Sequence, residues 1–186
     1  MTTLSYELIE IEPTRIGFVV LQSDETLERD MFHMKGDADL FFSRVPNAAT
    51  VNADTLQAMA AHMTTSASLF PETNTIDAIG YGCTSGTAQI GADNVARLIK
   101  DGTQVRQVSE PVSALIAACK HLGLRKIAFL SPYVEQVSEN LRRVLRDNDV
   151  QSPQFGTFAE EADAKVVRIA PQSIIDAARH LTLGHD

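Results

Sequence analysis

The residues best suited to chemistry lie in the stretch 80–87, GYGCTSGT. Cys83 follows a short apolar run and precedes a turn of small residues that leads into a predicted helix. In parallel α/β sheets, ligands bind where strands end. Free backbone N–H groups at a helix start stabilise a thiolate, and together with the hydroxyls of Thr84 and Ser85 they suit a carboxylate. The stretch therefore predicts a cysteine thiolate beside an anion-binding cradle.

Three alternatives compete with this interpretation. A lone cysteine is most often a small buried hydrophobe, although the neighbours here are polar and flexible. Gly80 and Gly82 resemble the start of a dinucleotide-binding loop, but the third glycine is displaced to Gly86. A cysteine phosphatase needs an arginine soon after the thiol, and residues 84–93 contain none. Cys119, by contrast, lies in an apolar helical stretch and is predicted to be core.

Apolar, β-branched runs alternate along the chain with helical patterns. The predicted strands are 15–21, 39–45, 76–81, 104–108 and 126–130. The predicted helices are 50–69, 93–100, 111–121 and 133–147. Such alternation predicts an α/β fold of mainly parallel, doubly wound sheets built from right-handed βαβ units.

An internal repeat predicts how these elements are organised. Residues 15–19 match 126–130, and residues 55–63 match 173–181 at a nearly equal offset. We therefore expect two pseudo-symmetric α/β halves, 1–109 and 110–186. The counterpart of Cys83 would fall beyond residue 186, so we expect the second half to be incomplete, truncated before its cysteine strand.

Two further strand ends carry polar side chains that suit a carboxylate. Gln22 closes the first predicted strand and has an amide donor. Tyr133 follows the fifth strand, where its hydroxyl is a donor, although a tyrosine packed in an interface is nearly as common. Glu110 suits a helix cap. The acidic run 160–163 is more typical of a solvated loop than of a site.

Composition excludes several classes of function. The net charge of −8 and pI near 5.1 leave no basic stripe for nucleic acid. No apolar run approaches the roughly 20 residues of a membrane span. Two cysteines suit a reducing, cytoplasmic setting. No metal is expected, because metal-ligand spacing is absent from the five histidines, His33, His62, His121, His180 and His185.

As a set, four segments resemble the Asp/Glu racemase superfamily, in its maleate isomerase and arylmalonate decarboxylase branch, and most closely the ectoine-utilisation proteins. The segments are 15–26, 80–86, 110–114 and 130–134. The resemblance implies two pseudo-symmetric halves, a substrate between them, no cofactor and a plausible homodimer. Members use one cysteine from each half, or a single cysteine in the decarboxylases.

The resemblance also implies roles for individual residues. Cys83 matches the catalytic cysteine of the first half. The implied substrate-binding residues are Thr84, Ser85, Tyr133, Gln22 and Asp163. Gln22 stands where maleate isomerases have an asparagine, and Asp163 stands at another asparagine position.

The sequence thus predicts a cofactor-independent isomerase or racemase that acts at the α-carbon of a small carboxylate or dicarboxylate. Ectoine catabolism is the implied context. Two alternatives stay open: an arylmalonate-type decarboxylase of the same fold, and a carboxylate-binding module without turnover. A two-base racemase needs a group on each face of the α-carbon, and Cys83 supplies only one of them.

Overall fold

The computed structural model describes residues 1–8, 13–72 and 75–183. Its strands are β1 (Arg15–Leu21), β2 (Asp39–Val45), β3 (Ile76–Tyr81), β4 (Val105–Ser109), β5 (Lys126–Tyr133) and β6 (Gln151–Glu160). Its helices are α1 (Leu27–Met34), α2 (Ala53–Ala58), α3 (Ala60–Ala67), α4 (Thr84–Ile90), α5 (Ala92–Lys100), α6 (Pro111–His121), α7 (Glu135–Asp147), α8 (Asp163–Val166) and α9 (Pro171–Leu183). None of the helices in these ranges is long and apolar enough to cross a membrane.

The strands form two parallel sheets. The first has the order β2-β1-β3-β4, and the second pairs β5 with β6. Val19 and Val20 point to opposite faces of β1 and are both fully buried, as expected for a strand covered by helices on either side. The predicted parallel α/β class is therefore confirmed. The boundary between halves at residues 109 and 110 stays a prediction.

Two apolar clusters hold these layers together. The larger packs α2, α3 and α5 against the first sheet, with Met63, Ile79 and Ile99 fully buried. The smaller joins α6 and α7 and packs against β5, around Leu145. Cys119 is 3% exposed in this second cluster, which confirms its predicted place in the core.

Several elements differ from the sequence prediction, among them α2 with α3, β5 and α1. The predicted helix 50–69 is two helices that meet at Met59, and the first of them begins only after a capping box at Asn52. Strand β5 continues to Tyr133 because its last residue still pairs with Glu160 of β6. Helix α1 has no predicted counterpart; the Asp24 carboxylate accepts the N–H groups of residues 26 and 27 and so starts it.

The carboxyl ends of strands β1, β3 and β5 meet on one side of the molecule. The turn after β1, the segment from β3 into α4, the end of β5 and the short helix α8 converge there. Parallel pairing places the carboxyl ends of β1 and β3 together, because their backbones are in register from Ile16↔Ala78 to Val19↔Tyr81. These ends form the candidate site.

Candidate active site

A cleft of about 220 Å³ opens at this convergence. Its lining residues are Leu21, Ser23, Asp24, Thr26, Gly82, Cys83, Thr84, Ser85, Tyr133, Asp163, Val166 and Val167. A smaller cavity of about 20 Å³ adjoins it towards α2 and shares several of these residues, including Cys83, Tyr133 and Asp163. Five of the six predicted site residues therefore lie around one space.

Cys83 is held rigidly at the junction of β3 and α4. It is the N-cap of α4, and its sulfur accepts the N–H of Gly86 at 3.2 Å. Its carbonyl accepts both the N–H and the hydroxyl of Thr87, at 2.9 and 2.8 Å. The side chain is thus aimed by backbone contacts on both sides, and 7% of the residue is exposed, toward the cleft.

Burial raises the pKa of the Cys83 thiol to about 11. The backbone N–H of Gly86, the Tyr81 hydroxyl and the N–H of Ser85 oppose this rise, while the nearby Asp163 carboxylate adds to it. The predicted N–H donors are therefore present and lower the pKa, but desolvation outweighs them. Burial therefore opposes the thiolate that the sequence predicts, and the role of Cys83 stays a prediction.

Hydroxyl groups face Cys83 from both sheets. Thr84 and Ser85 lie half-buried in the first turn of α4, and Tyr133 reaches the same cleft from the end of β5. Burial, followed by the charges of Asp163 and Cys83, raises the pKa of Tyr133 well above its usual value, so the phenol keeps its proton. These neutral hydroxyls line the same cleft as the Cys83 sulfur.

Asp163 belongs to a network that ties α8 to the first sheet. Its Oδ2 accepts the Ser23 hydroxyl at 3.0 Å and the Asn47 amide at 3.1 Å, and that amide also reaches Ser23 Oγ at 3.0 Å. Burial raises the pKa of Asp163, whereas these two donors lower it. Asp163 is therefore a half-buried cleft residue, which corrects the interpretation of residues 160–163 as a solvated loop.

Gln22 is not part of the cleft. Its side chain is exposed, and its N–H is used by the Val45 carbonyl at 2.9 Å in the continuation of β1–β2 pairing. The next two residues, Ser23 and Asp24, face the cleft instead. Leu21 and Ser23 line the cleft on either side of Gln22, so the alternation of a strand places Gln22 on the other side.

Sequence reasoning also missed Ser23 and Asn47. Both lie one or two residues beyond the end of a parallel strand, β1 and β2 respectively, where polar residues are candidates by position alone. This positional rule could have identified both residues from the sequence. Their joint contact with Asp163, 140 and 116 residues away in sequence, is fixed only by folding.

The rim of the cleft is bridged by an ion pair. Arg168 donates to both carboxylate oxygens of Glu25, each at 3.2 Å, and so links the segment after α8 to the turn after β1. Among the described residues that line the cleft, none is Lys, Arg or His; its two charged residues are Asp24 and Asp163. The charge of the cleft is therefore negative.

Among residues 1–8, 13–72 and 75–183, no three His, Cys, Asp or Glu side chains lie close enough together to hold a metal ion. His185, one of the five histidines considered above, lies outside the described residues.

The fold has known counterparts among solved structures. A mutant of the Nocardia farcinica maleate cis-trans isomerase with a covalently bound succinylcysteine intermediate superposes with a TM-score of 0.77 at 21% identity, covering 92% of this chain and 74% of that one. The Pseudomonas putida maleate isomerase gives 0.75 at 18%, covering 90% and 74%. This chain has the maleate isomerase fold.

The same fold is shared with arylmalonate decarboxylase. A liganded mutant of that enzyme gives a TM-score of 0.71 at 17% identity, with 94% of this chain and 75% of that chain covered. No protein-family model matches the sequence, and no curated protein matches it either. The predicted fold is confirmed; the likeness to ectoine-utilisation proteins and the incompleteness of the second half stay predictions.

Proposed function

We propose that the protein is a cofactor-independent enzyme that acts at the α-carbon of a small carboxylate, with Cys83 as the reacting group. One observation carries the proposal. The Cys83 sulfur lies at the carboxyl end of a parallel sheet and faces a cleft bordered by the hydroxyls of Thr84, Ser85 and Tyr133. A carboxylate hydrogen-bonded by those donors would present its α-carbon to the sulfur.

Isomerisation or racemisation is the first candidate reaction. In a cis–trans isomerisation, the thiolate of Cys83 adds to one alkene carbon, and the electron pair of the double bond moves onto the adjacent carboxylate. The former double bond then rotates as a single bond, and expulsion of the thiolate restores the alkene in trans form. The succinylcysteine intermediate in the N. farcinica isomerase supports this route by analogy of fold.

Decarboxylation is the second candidate, and the state of the thiol favours it. A thiol whose pKa is raised to about 11 is a proton donor at neutral pH and a poor nucleophile. When a malonate-type substrate loses CO2, the electron pair of the broken C–C bond stays on the α-carbon as an enediolate. Cys83 would transfer its S–H proton to that carbon, and solvent would reprotonate the sulfur.

The negative cleft restricts the charge of the substrate. A second carboxylate placed beside Asp163 would be repelled unless that residue took up a proton. An ammonium group in the same place would form an ion pair with it. We therefore propose a ligand with a carboxylate at the α4 end and a cationic or donor group at the Asp163 end, which suits an amino-acid-like compound of ectoine catabolism.

The decisive experiment combines turnover with ligand-induced stabilisation. The protein is assayed with maleate, with each enantiomer of aspartate and with phenylmalonate, by NMR in D2O, beside Cys83→Ala and a matched Cys119→Ala control. Turnover of one substrate that is lost in Cys83→Ala and kept in Cys119→Ala supports the proposal. Equal turnover in both variants would refute a role for Cys83.

A binding module is distinguished in the same samples. Stabilisation against thermal unfolding by a carboxylate, without turnover of any of them, would replace the enzyme by a carboxylate-binding protein. The homodimer and the cytoplasmic location stay predictions, which sedimentation and fractionation would check.

A further inference from the structure

A buried tyrosine lies beneath the candidate nucleophile and has no part in the reaction schemes above. Tyr81 ends β3, two residues before Cys83, and is 1% exposed. Its hydroxyl lies 3.9 Å from the Met59 sulfur, at the limit of a hydrogen bond, and close enough to Cys83 to act on its thiol. A thioether is a weak acceptor, whereas a buried phenol normally has a strong one. The Cys83 sulfur is the second acceptor within its reach.

The Tyr81 hydroxyl and the Cys83 sulfur converge on the same backbone position. A Cβ added at Gly86 would lie 2.7 Å from Tyr81 Oη and 2.9 Å from Cys83 Sγ. It would also lie 2.9 Å from the Met59 methyl carbon. Glycine at this position leaves room for the phenol and the sulfur to approach each other, and the Gly86 N–H donates to that sulfur as well.

Ionisation of Cys83 would strengthen the hydrogen bond between the Tyr81 hydroxyl and the Cys83 sulfur. A thiolate is a charged acceptor, and hydrogen bonds to a charged group in a desolvated site are about twice as strong as those between neutral groups. Tyr81 is 1% exposed and is not among the residues that line the cleft, so a substrate in the cleft does not displace its hydroxyl.

We propose that Tyr81 is a positioning residue that fixes the Cys83 sulfur from below and sets its reactivity by donating a hydrogen bond to the thiolate. The inference deepens the proposed function, since it concerns the same thiol. Three other groups bear on this contact: the Met59 thioether next to the phenol, the Gly86 N–H that donates to the sulfur, and the Asp163 carboxylate whose charge raises the pKa of Cys83.

The test measures the alkylation rate of Cys83 against pH in a Cys119→Ala background, where it is the only thiol. Below the pKa of the thiol, the logarithm of the rate rises linearly with pH, and a change in pKa displaces the line. Tyr81→Phe keeps the ring and removes the donor. We expect it to lower the rate about tenfold at each pH below the pKa of the thiol, as a pKa raised by about one unit requires.

Met59→Leu is the matched control. It alters the same buried contact but removes only the competing acceptor, so the alkylation line should stay in place or move to faster rates. An equal loss in both variants would show that packing alone sets the reactivity. An unchanged line in Tyr81→Phe would refute the inference directly.

A second measurement applies if Tyr81→Phe fails to fold. Site-specific replacement of Tyr81 by 3-fluorotyrosine gives a more acidic phenol and a stronger donor with nearly the same shape. Faster alkylation at fixed pH is expected, and an unchanged rate would overturn the inference. Alkylation needs no substrate, so absent turnover would refute the proposed function alone, and an unmoved alkylation line would refute this inference alone.

Discussion

Replacing Asp163 by asparagine should make Cys83 more reactive. The change removes the negative charge that raises the pKa of the thiol. It keeps an oxygen that accepts from Ser23 and Asn47, the two donors now bound to Oδ2. The substitution therefore isolates the charge from the geometry.

The size of the effect follows from the dimensions of the cleft. Cys83 and Asp163 line the same cleft, and their charges are taken to lie on the order of 7 Å apart. Two unit charges at that separation interact by roughly 0.6–1.2 kcal/mol at an effective dielectric constant of about 40–80, which suits a cleft open to solvent. This lowers the pKa of Cys83 by roughly half a unit to one unit. The expected rate increase is about threefold to sevenfold.

The assay compares reaction of the two proteins with dipyridyl disulfide from pH 4 to pH 9, in the Cys119→Ala background. Where Asp163 is protonated in the wild type, the ratio of variant to wild-type rates should be one. The ratio should rise to its full value as the pH passes the pKa of Asp163, which burial places above that of a free aspartate. The inflection therefore measures that pKa.

Glu161→Gln is the matched control. Glu161 lies two residues before Asp163, but its side chain is exposed and does not line this cleft, so the change removes a charge that Cys83 does not face. Its rate ratio should stay near one throughout. A ratio of one for Asp163→Asn at all pH values, or a ratio below one, would refute the electrostatic reasoning.

Three further predictions concern stability and the network. Asp163→Asn should raise the melting temperature at pH 7 but not near pH 3. A carboxyl whose pKa is raised in the folded state favours folding below its unfolded pKa, and this contribution is lost as the pH rises through the folded pKa. An equal gain at both pH values would contradict this prediction. Ser23→Ala should lower the free energy of unfolding in urea by about 1 kcal/mol, because Asp163 loses one of its two donors. Thr182→Ala removes a surface hydroxyl and is the control, which should leave the free energy of unfolding nearly unchanged. Glu110→Ala should lower the free energy of unfolding by about 1–3 kcal/mol, because the buried Glu110 carboxylate accepts the first N–H groups of α6. The rate of Cys83 alkylation should stay unchanged. A loss of stability below about 0.5 kcal/mol would contradict the capping role.

Local patterns predicted the parallel strands well. β1, β2 and β3 have the predicted bounds. β1 is a continuous apolar run bounded by polar residues, which is typical of a strand covered on both faces. The sequence pattern does not indicate the break between α2 and α3 at Met59. Met59 has helical dihedral angles, φ −60° and ψ −27°, and the apolar spacing continues on both sides of it. Periodicity does not distinguish one helix from two in that case.

The site was predicted in part, for a different reason. Cys83, Thr84, Ser85 and Tyr133 adjoin strand ends, and the direction of a parallel sheet brings such residues together. The chemical state of Cys83 depends instead on how deeply α4 and the α8 segment bury it, which is a property of tertiary packing. The amide and hydroxyl that hold Asp163 come from the far end of the chain, beyond the reach of local pattern.

These results bear on which reaction the cleft favours. Burial raises the pKa of Cys83 and of Tyr133, so both of these acids are biased toward their neutral forms beside the Asp163 carboxylate. A site of this kind resists added negative charge and offers protons. Nucleophilic addition must first remove the proton of Cys83, at a cost of about 5 kcal/mol at pH 7 for a pKa of about 11. Protonation of a carbanion needs no such step, since it uses the thiol in the form that the fold already stabilises. An isomerase mechanism therefore requires that bound substrate lower the pKa of Cys83, which a cationic substrate group beside Asp163 would do by neutralising the charge that raises it.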